Sequence, residues 1–264
     1  MTIVVKLGGA AGNAFEPALA DLATRSDYVI VHGGSDEVDR LGTALGRPPE
    51  FYTSPSGVIS RRSDPAHLEV LVLALAGKVQ MAIVTALARK GVSAVGLSGA
   101  DGGLLRARRK EGARAVLNGK TVRVTDDWSG TIERADPKIL RLLLDSGLVP
   151  VVGPPALTAE GDLVNVDADR AAAAVAVALG ASDLLLLTNV PGLLRDVADP
   201  SSVLRTVDRA SLGEVRALAT GRMRKKVLAA EEALTGGVGR VVIAPSGVAT
   251  PVARALAGEG TVFR

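Results

Sequence analysis

The amino-acid sequence predicts an α/β fold, a three-layer αβα sandwich around a central, mostly parallel sheet. Short apolar, β-branched runs alternate with helical patterns from one end of the chain to the other, as expected of parallel strands joined by helical crossovers. Hydrophobic residues make up 47% of the chain and aromatics only 2%, so the core must be built from Ala, Val and Leu, which suit layered helices and strands. A length of 264 residues fits one large α/β domain or two unequal lobes.

Six strands are expected: Ile3–Leu7, Tyr28–His32, Ala94–Leu97, Val149–Val152, Leu184–Leu187 and Arg240–Ile243. Between them fall helices at Glu16–Ser26, Asp36–Leu45, Pro65–Lys90, Pro137–Ser146, Asp169–Leu179 and Arg222–Leu234. Two stretches break the alternation. Leu104–Thr131 reads as a β-hairpin flap with turns at Glu111-Gly112 and Asn118-Gly119, and Val152–Val166, with Pro154-Pro155 and Glu160-Gly161-Asp162, as a second hairpin. A soft boundary near residue 165 then divides an N-terminal lobe, 1–165, from a C-terminal lobe, 166–264. Leu68–Leu87 is apolar enough to suggest a membrane span. However, Lys78 and Gln80 sit at its centre, where bilayer burial is costly, so a soluble helix, internal or at a subunit interface, is the expectation.

Composition also excludes chemistries. Without cysteine there are no disulfides, thiolate zinc sites or cysteine nucleophiles. Two histidines, His32 and His67, cannot build a His-rich metal site. No residue is assigned as a metal ligand, and any metal is expected to be a hard cation such as Mg²⁺ that arrives with a nucleotide. Met1 runs straight into the first strand with no secretory signal, which gives a cytoplasmic expectation and no membrane partner. The net charge is +3, yet Arg106, Arg108, Arg109, Lys110, Arg114, Lys120 and Arg123 are clustered against the single acid Glu111. This run is either a solvated hairpin or a landing site for an acidic partner. Nucleic acid is not expected, because no stacking aromatics interleave the charges.

Two short motifs carry the chemistry. Lys6-Leu7-Gly8-Gly9 ends the first strand, and His32-Gly33-Gly34-Ser35 ends the second. Glycines at a strand exit let backbone N–H groups approach an anion, and both turns would face the C-terminal edge of one parallel sheet, where α/β folds bind ligands. Neither matches a dinucleotide fingerprint or a Walker A sequence. Taken alone, each is equally compatible with a tight turn, and His32 with a packed core histidine.

Together with Ser60-Arg61, Asn165-Val166-Asp167-Ala168-Asp169 and Gly221-Arg222-Met223-Arg224-Lys225-Lys226, these motifs occur in the order found in N-acetylglutamate kinase and its relatives, so the chain resembles the amino-acid kinase family. Gly96-Leu97-Ser98-Gly99-Ala100-Asp101-Gly102, Pro154-Pro155-Ala156-Leu157 and Gly258-Glu259-Gly260-Thr261-Val262 resemble the branch that acts on substrates held by the amino-group carrier protein LysW. The resemblance spans the whole chain. It implies the carbamate kinase-like form of the αβα fold, ATP with Mg²⁺ as cofactor, and phosphorylation of a side-chain carboxylate, that of LysW-linked α-aminoadipate, in lysine biosynthesis. Acetylglutamate or LysW-linked glutamate as acceptor is the same-fold alternative, and a non-catalytic sensor the alternative of another class.

The resemblance also assigns roles. Lys6 and Lys226 would contact the transferring phosphoryl group from opposite lobes, and Asp169 would hold both through ion pairs, unless it is a plain helix cap. Gly34, Ser35, Arg61 and Asn165 would bind the acceptor in the N-terminal lobe. Gly8, Gly9, Thr188, Asn189, Gly192 and Leu193 would line the nucleotide, which the C-terminal lobe would bind. The basic flap, with Arg106, Arg108, Arg109, Lys110 and Lys120, would dock the acidic carrier. A homodimer is expected because the chain starts at its first strand, without the N-terminal helix that builds hexamers in arginine-inhibited relatives.

Overall fold

The computed structural model describes residues 1–9, 15–53, 55, 59–112, 114–117 and 120–264. The expected turn at Asn118-Gly119 lies outside them. Strand β1 (Ile3–Leu7) leads through α1 (Glu16–Leu22) to β2 (Tyr28–His32) and α2 (Ser35–Ala44). After the hairpin β3 (Phe51–Thr53)–β4 (Ile59–Arg61) comes one long helix made of α3 (Pro65–Val72), a π-helical stretch Leu73–Val79 and α4 (Gln80–Ala88). Next are β5 (Ala94–Ser98), β6 (Leu105–Arg109), β7 (Arg114–Leu117), β8 (Lys120–Arg123), β9 (Gly130–Ala135), α5 (Lys138–Asp145) and β10 (Val149–Gly153). The chain continues through β11 (Ala156–Leu157), β12 (Leu163–Val164), α6 (Ala168–Leu179), β13 (Asp183–Thr188), β14 (Thr206–Val207) and α7 (Leu212–Leu218). It ends with α8 (Gly221–Thr235), β15 (Arg240–Pro245), α9 (Pro251–Leu256) and β16 (Thr261–Phe263).

Among the described residues, eight strands form the central sheet in the order β14-β16-β15-β13-β1-β2-β10-β5, with β16 antiparallel to its neighbour β15. Strand side chains alternate between faces, and the core divides accordingly. Val4, Val29, Val31, Val152, Leu184, Leu186 and Ile243 pack on one side with α5, α6 and α8. Val5, Ile30, Val151, Leu185, Leu187 and Val242 pack on the other with α1, α9 and the long helix. The αβα sandwich is therefore present, with strands buried on both faces, as parallel sheets require.

The pairing of the flap corrects one expectation. Leu104–Thr131 is not a single hairpin: β6 pairs antiparallel with β9, and β7–β8 is a separate two-stranded ribbon inserted between them. The physical reason is burial, because β6 places Leu105 and Ala107 in the core and needs a partner that can cover them, whereas β7 and β8 present exposed Arg114, Lys120 and Arg123. The hairpin expected in Val152–Val166 is β11–β12, which joins β6 and β9 in a four-stranded sheet.

The helix expected at Pro65–Lys90 forms, with the Asp64 side chain accepting from the His67 N–H at its start. Pro65–Ala88 is long and apolar enough by composition to cross a membrane, with a mean hydropathy of 2.1 over an 18-residue window. Its inner side packs Val70, Leu71, Ala74, Leu75, Val79, Ile83 and Leu87 into the core, while Leu73 and Met81 are exposed and Lys78 pairs with Glu37.

Candidate active site at the edge of the parallel sheet

Strands β1 and β2 run side by side in parallel, with Leu7 opposite His32, so their glycine turns leave the sheet together. The turns touch. A Cβ on Gly9 would lie 1.9 Å from the Gly34 nitrogen, an approach that only glycine permits. The contact is stitched by the Asp36 N–H and the Ser35 hydroxyl, which donate to the Gly9 carbonyl at 2.9 and 3.1 Å. Ser35 opens α2, whose first-turn N–H groups have no intrahelical partner and favour an anion. Gly8 is fixed to β13, donating to the Leu187 carbonyl.

Beside these turns lies a buried charge cluster. Lys6 is the penultimate residue of β1, Asp169 lies in the first turn of α6, and Lys226 lies on α8; their exposures are 5, 6 and 7%. Lys6 Nζ is 2.7 Å from Asp169 Oδ1, and Lys226 Nζ is 2.9 Å from Asp169 Oδ2. Helix α6 is capped by Asp167, whose carboxylate accepts from the N–H groups of Asp169 and Arg170. Asp167 makes that cap, which leaves the Asp169 carboxylate to the two lysines. Burial pushes the Asp169 carboxyl up, yet the two ammonium groups overcome it and hold it below the usual carboxylate range. Lys226 is lowered by burial and by Lys6, with Asp169 opposing. The cluster thus holds two cations against one anion in a dry setting, an excess suited to an anionic group.

The acceptor-side residues are only partly brought to this point. Arg61 directs its fork at Asp39, with Nη2 at 2.8 Å from Oδ2, and lies over the Phe51 ring. A substrate carboxylate would have to displace or share that partner. Asn165 donates to the Ser63 hydroxyl, and its backbone bonds Trp128 and Gly130, which ties the strand before α6 to the flap. On the other side, Thr188 ends β13 and is buried, with Asn189 following it at the strand exit. Leu193 is 2% exposed and its N–H donates to the Thr261 hydroxyl, so its side chain packs in the core. A Cβ on Gly192 would lie 2.7 Å from that same hydroxyl. Thr261, fully buried, is the residue that shapes this loop and that sequence inspection missed; only its place in a Gly-Thr-Val run hinted at it.

The basic run divides. Arg106 donates to the Thr158 carbonyl, and Arg109 donates to the Asp127 and Thr125 carbonyls while stacking 3.8 Å over Trp128. These two hold the flap together. Arg108 is exposed and pairs loosely with Glu133. Lys110, whose pKa burial and Lys225 lower, shares the field of Asp127 and Asp167 near the start of α6. Arg114, Lys120 and Arg123 are exposed, with no ion-pair partner among the described residues.

His32 is fully buried, and burial lowers its pKa to about 4. The fold holds the neutral imidazole, so this stability is intact above the unfolded value of about 6.5 and drains as pH falls towards 4. The loss should reach about 3 kcal/mol at most. Urea unfolding followed from pH 7.5 to 4.5 tests this; a His32→Gln variant should show a shallower pH dependence, and an equal slope would rule the histidine out.

The family model described as the amino acid kinase family matches residues 1–245. A LysW-aminoadipate kinase of Deinococcus radiodurans is 47% identical over 98% of this chain and 90% of its own, and one of Thermus thermophilus is 44% identical over 99% and 100%. N-acetylglutamate synthase from Neisseria gonorrhoeae, solved with coenzyme A and N-acetyl-glutamate, superposes with a TM-score of 0.77 at 27% identity; the match covers 99% of this chain and 59% of the synthase. The chain belongs to the amino acid kinase family.

Proposed function

We propose that the protein transfers the γ-phosphate of ATP to the side-chain carboxylate of α-aminoadipate carried on LysW, giving an acyl phosphate in lysine biosynthesis. The observation that carries this reading is the Lys6–Asp169–Lys226 cluster beside two touching glycine turns. A carboxylate oxygen forms the new bond to phosphorus, the bond to the β,γ-bridging oxygen breaks, and ADP leaves with that electron pair. No proton moves, because the attacking carboxylate is already ionised at neutral pH. The difficulty is bringing two anions together, and two buried ammonium groups address it. Gly34 and Ser35 orient the carboxylate, Asn165 and Arg61 hold the rest of the acceptor, and the N–H groups near Gly8, Gly9, Thr188, Asn189 and Gly192 meet the nucleotide. The nearby carboxylates are engaged, Asp169 with two lysines and Asp167 with Lys225, so Mg²⁺ would be held by the nucleotide's own phosphates.

In this reading the acceptor occupies the 1–165 side and ATP the 166–264 side. Arg108, Lys110 and Lys120 meet the acidic carrier, while Arg106 and Arg109 support them from within the flap. The exposed Leu73 and Met81 face of the long helix supports a homodimer, and the location is the cytoplasm. A hydroxamate assay offering LysW-linked aminoadipate, LysW-linked glutamate and free N-acetylglutamate tests the acceptor. The carrier-linked substrates should be preferred, with a KM that rises steeply with salt. Preference for free N-acetylglutamate would overturn the carrier assignment. The two carrier-linked acceptors differ by one methylene, and their separation should be no more than about 10- to 200-fold.

A further inference from the structure

The glycine turn after β2 has two consecutive residues without side chains, so no side chain of its own fixes the peptide between Gly33 and Gly34. The fixing contact comes from the preceding residue. Nδ1 of His32 lies 3.1 Å from the Gly33 carbonyl oxygen. A carbonyl can only accept, so Nδ1 carries the proton and the ring is the Nδ1–H tautomer. In a trans peptide the C=O and the following N–H are held on one rigid plane and point in opposite directions. Anchoring the Gly33 oxygen to a buried imidazole therefore sets the plane of the Gly33–Gly34 peptide, whose nitrogen lies at the junction where Gly9 packs.

The ring itself is clamped. A Cβ on Gly153, in β10, would lie 2.6 Å from its Cε1 and Nε2, so the imidazole rests on bare backbone. The Gln80 amide contributes to the histidine's field and lies over Gly96, where a Cβ would approach to 2.1 Å. Gln80 is the first residue after the π-helical stretch, and Leu75 and Val79 within that stretch press on Gly34, with Leu75 Cδ2 2.4 Å from where a Gly34 Cβ would be. Such π-helical stretches are frequent at functional sites, and this one brings two side chains of the long helix onto a single turn.

We infer that His32 is a positioning residue, its bond to the Gly33 carbonyl holding the Gly34 N–H in the direction the acceptor carboxylate needs, with the π-helical stretch as its backing. This rests on the reading above that Gly34 meets the acceptor. Burial keeps the imidazole neutral, so the bond persists across the working pH range.

His32→Leu removes the donor, whereas His32→Asn keeps an amide N–H close to the Nδ1 position. With saturating ATP, His32→Leu should lower kcat for acyl phosphate about 10- to 100-fold while the KM for ATP stays within about twofold, because a displacement of about 1 Å at the reacting centre is costly. His32→Asn should recover most of the loss. Equal losses in both variants, or wild-type kcat in His32→Leu, would overturn the inference. Should His32→Leu fail to fold, Gly153→Ala displaces the ring without altering the turn; it should give the same kcat loss, and an unchanged kcat would count against the proposal. Amide exchange at Gly34 provides a readout independent of activity: faster in His32→Leu, restored in His32→Asn. A wild-type enzyme inactive on every acceptor would sink the functional reading, while the exchange result would still decide the role of His32.

Discussion

Replacing Asp169 with alanine is expected to lower stability by about 3–5 kcal/mol and kcat by at least about two orders of magnitude. The large stability effect follows from what remains. Lys6 and Lys226, 5 and 7% exposed, share this one carboxylate, and its loss leaves two like charges buried without compensation. Lys226→Ala has a different signature. It leaves the Lys6–Asp169 pair at 2.7 Å in place, so the stability change should be small while kcat still falls by orders of magnitude. Lys6→Ala should behave likewise through the remaining Lys226–Asp169 pair. Chemical denaturation combined with single-turnover kinetics separates the cases. Two results would remove the clamp as the centre of catalysis: an Asp169→Ala protein as stable as wild type, or lysine variants retaining kcat within tenfold.

How legible this site was depends on the kind of signal each residue gives. Strands β1, β2, β10, β13 and β15 are apolar runs that parallel burial demands, and their positions matched the sequence pattern. Strands β14 and β16 have two and three residues, too few for any periodicity to show. The Asp-x-Asp pair at 167 and 169 offers two capping candidates within one turn, and residues two apart on a helix project in different directions. The residue pattern alone does not separate them; in the fold Asp167 caps and Asp169 faces the lysines. Likewise the sequence presents seven cations as equals, whereas Trp128 and two backbone carbonyls claim Arg109. The Arg61–Asp39 pair is a tertiary accident of the β3–β4 hairpin meeting α2, without local signature. The π-helical stretch was invisible for a related reason: a helix apolar on most faces has no stripe whose displacement could betray a change of pitch.

Gly9→Ala should be nearly as damaging to activity as the loss of a lysine, and for a reason that involves no charge. The added methyl would lie 1.9 Å from the Gly34 nitrogen and 2.5 Å from both the Gly33 carbonyl carbon and the Gly34 Cα, so every obstacle is backbone and none can rotate away. The turns are pinned besides, by the Gly33 N–H on the Leu7 carbonyl and the Asp36 N–H and Ser35 hydroxyl on the Gly9 carbonyl. They must separate, and overpacking of this kind costs about 1–3 kcal/mol of stability. A parting of about 1 Å where donors meet the reacting carboxylate should lower kcat about 100-fold. Gly213→Ala is the control: its Cβ meets nothing within 4 Å, and it lies in α7, which carries none of the cluster's residues. That change should stabilise by about 0.5–1 kcal/mol and leave kcat alone. If both variants kept wild-type kcat, the contact between the glycine turns would be architecture only. If Gly9→Ala alone lost activity while remaining folded, the close approach of the two turns would be tied directly to the chemistry.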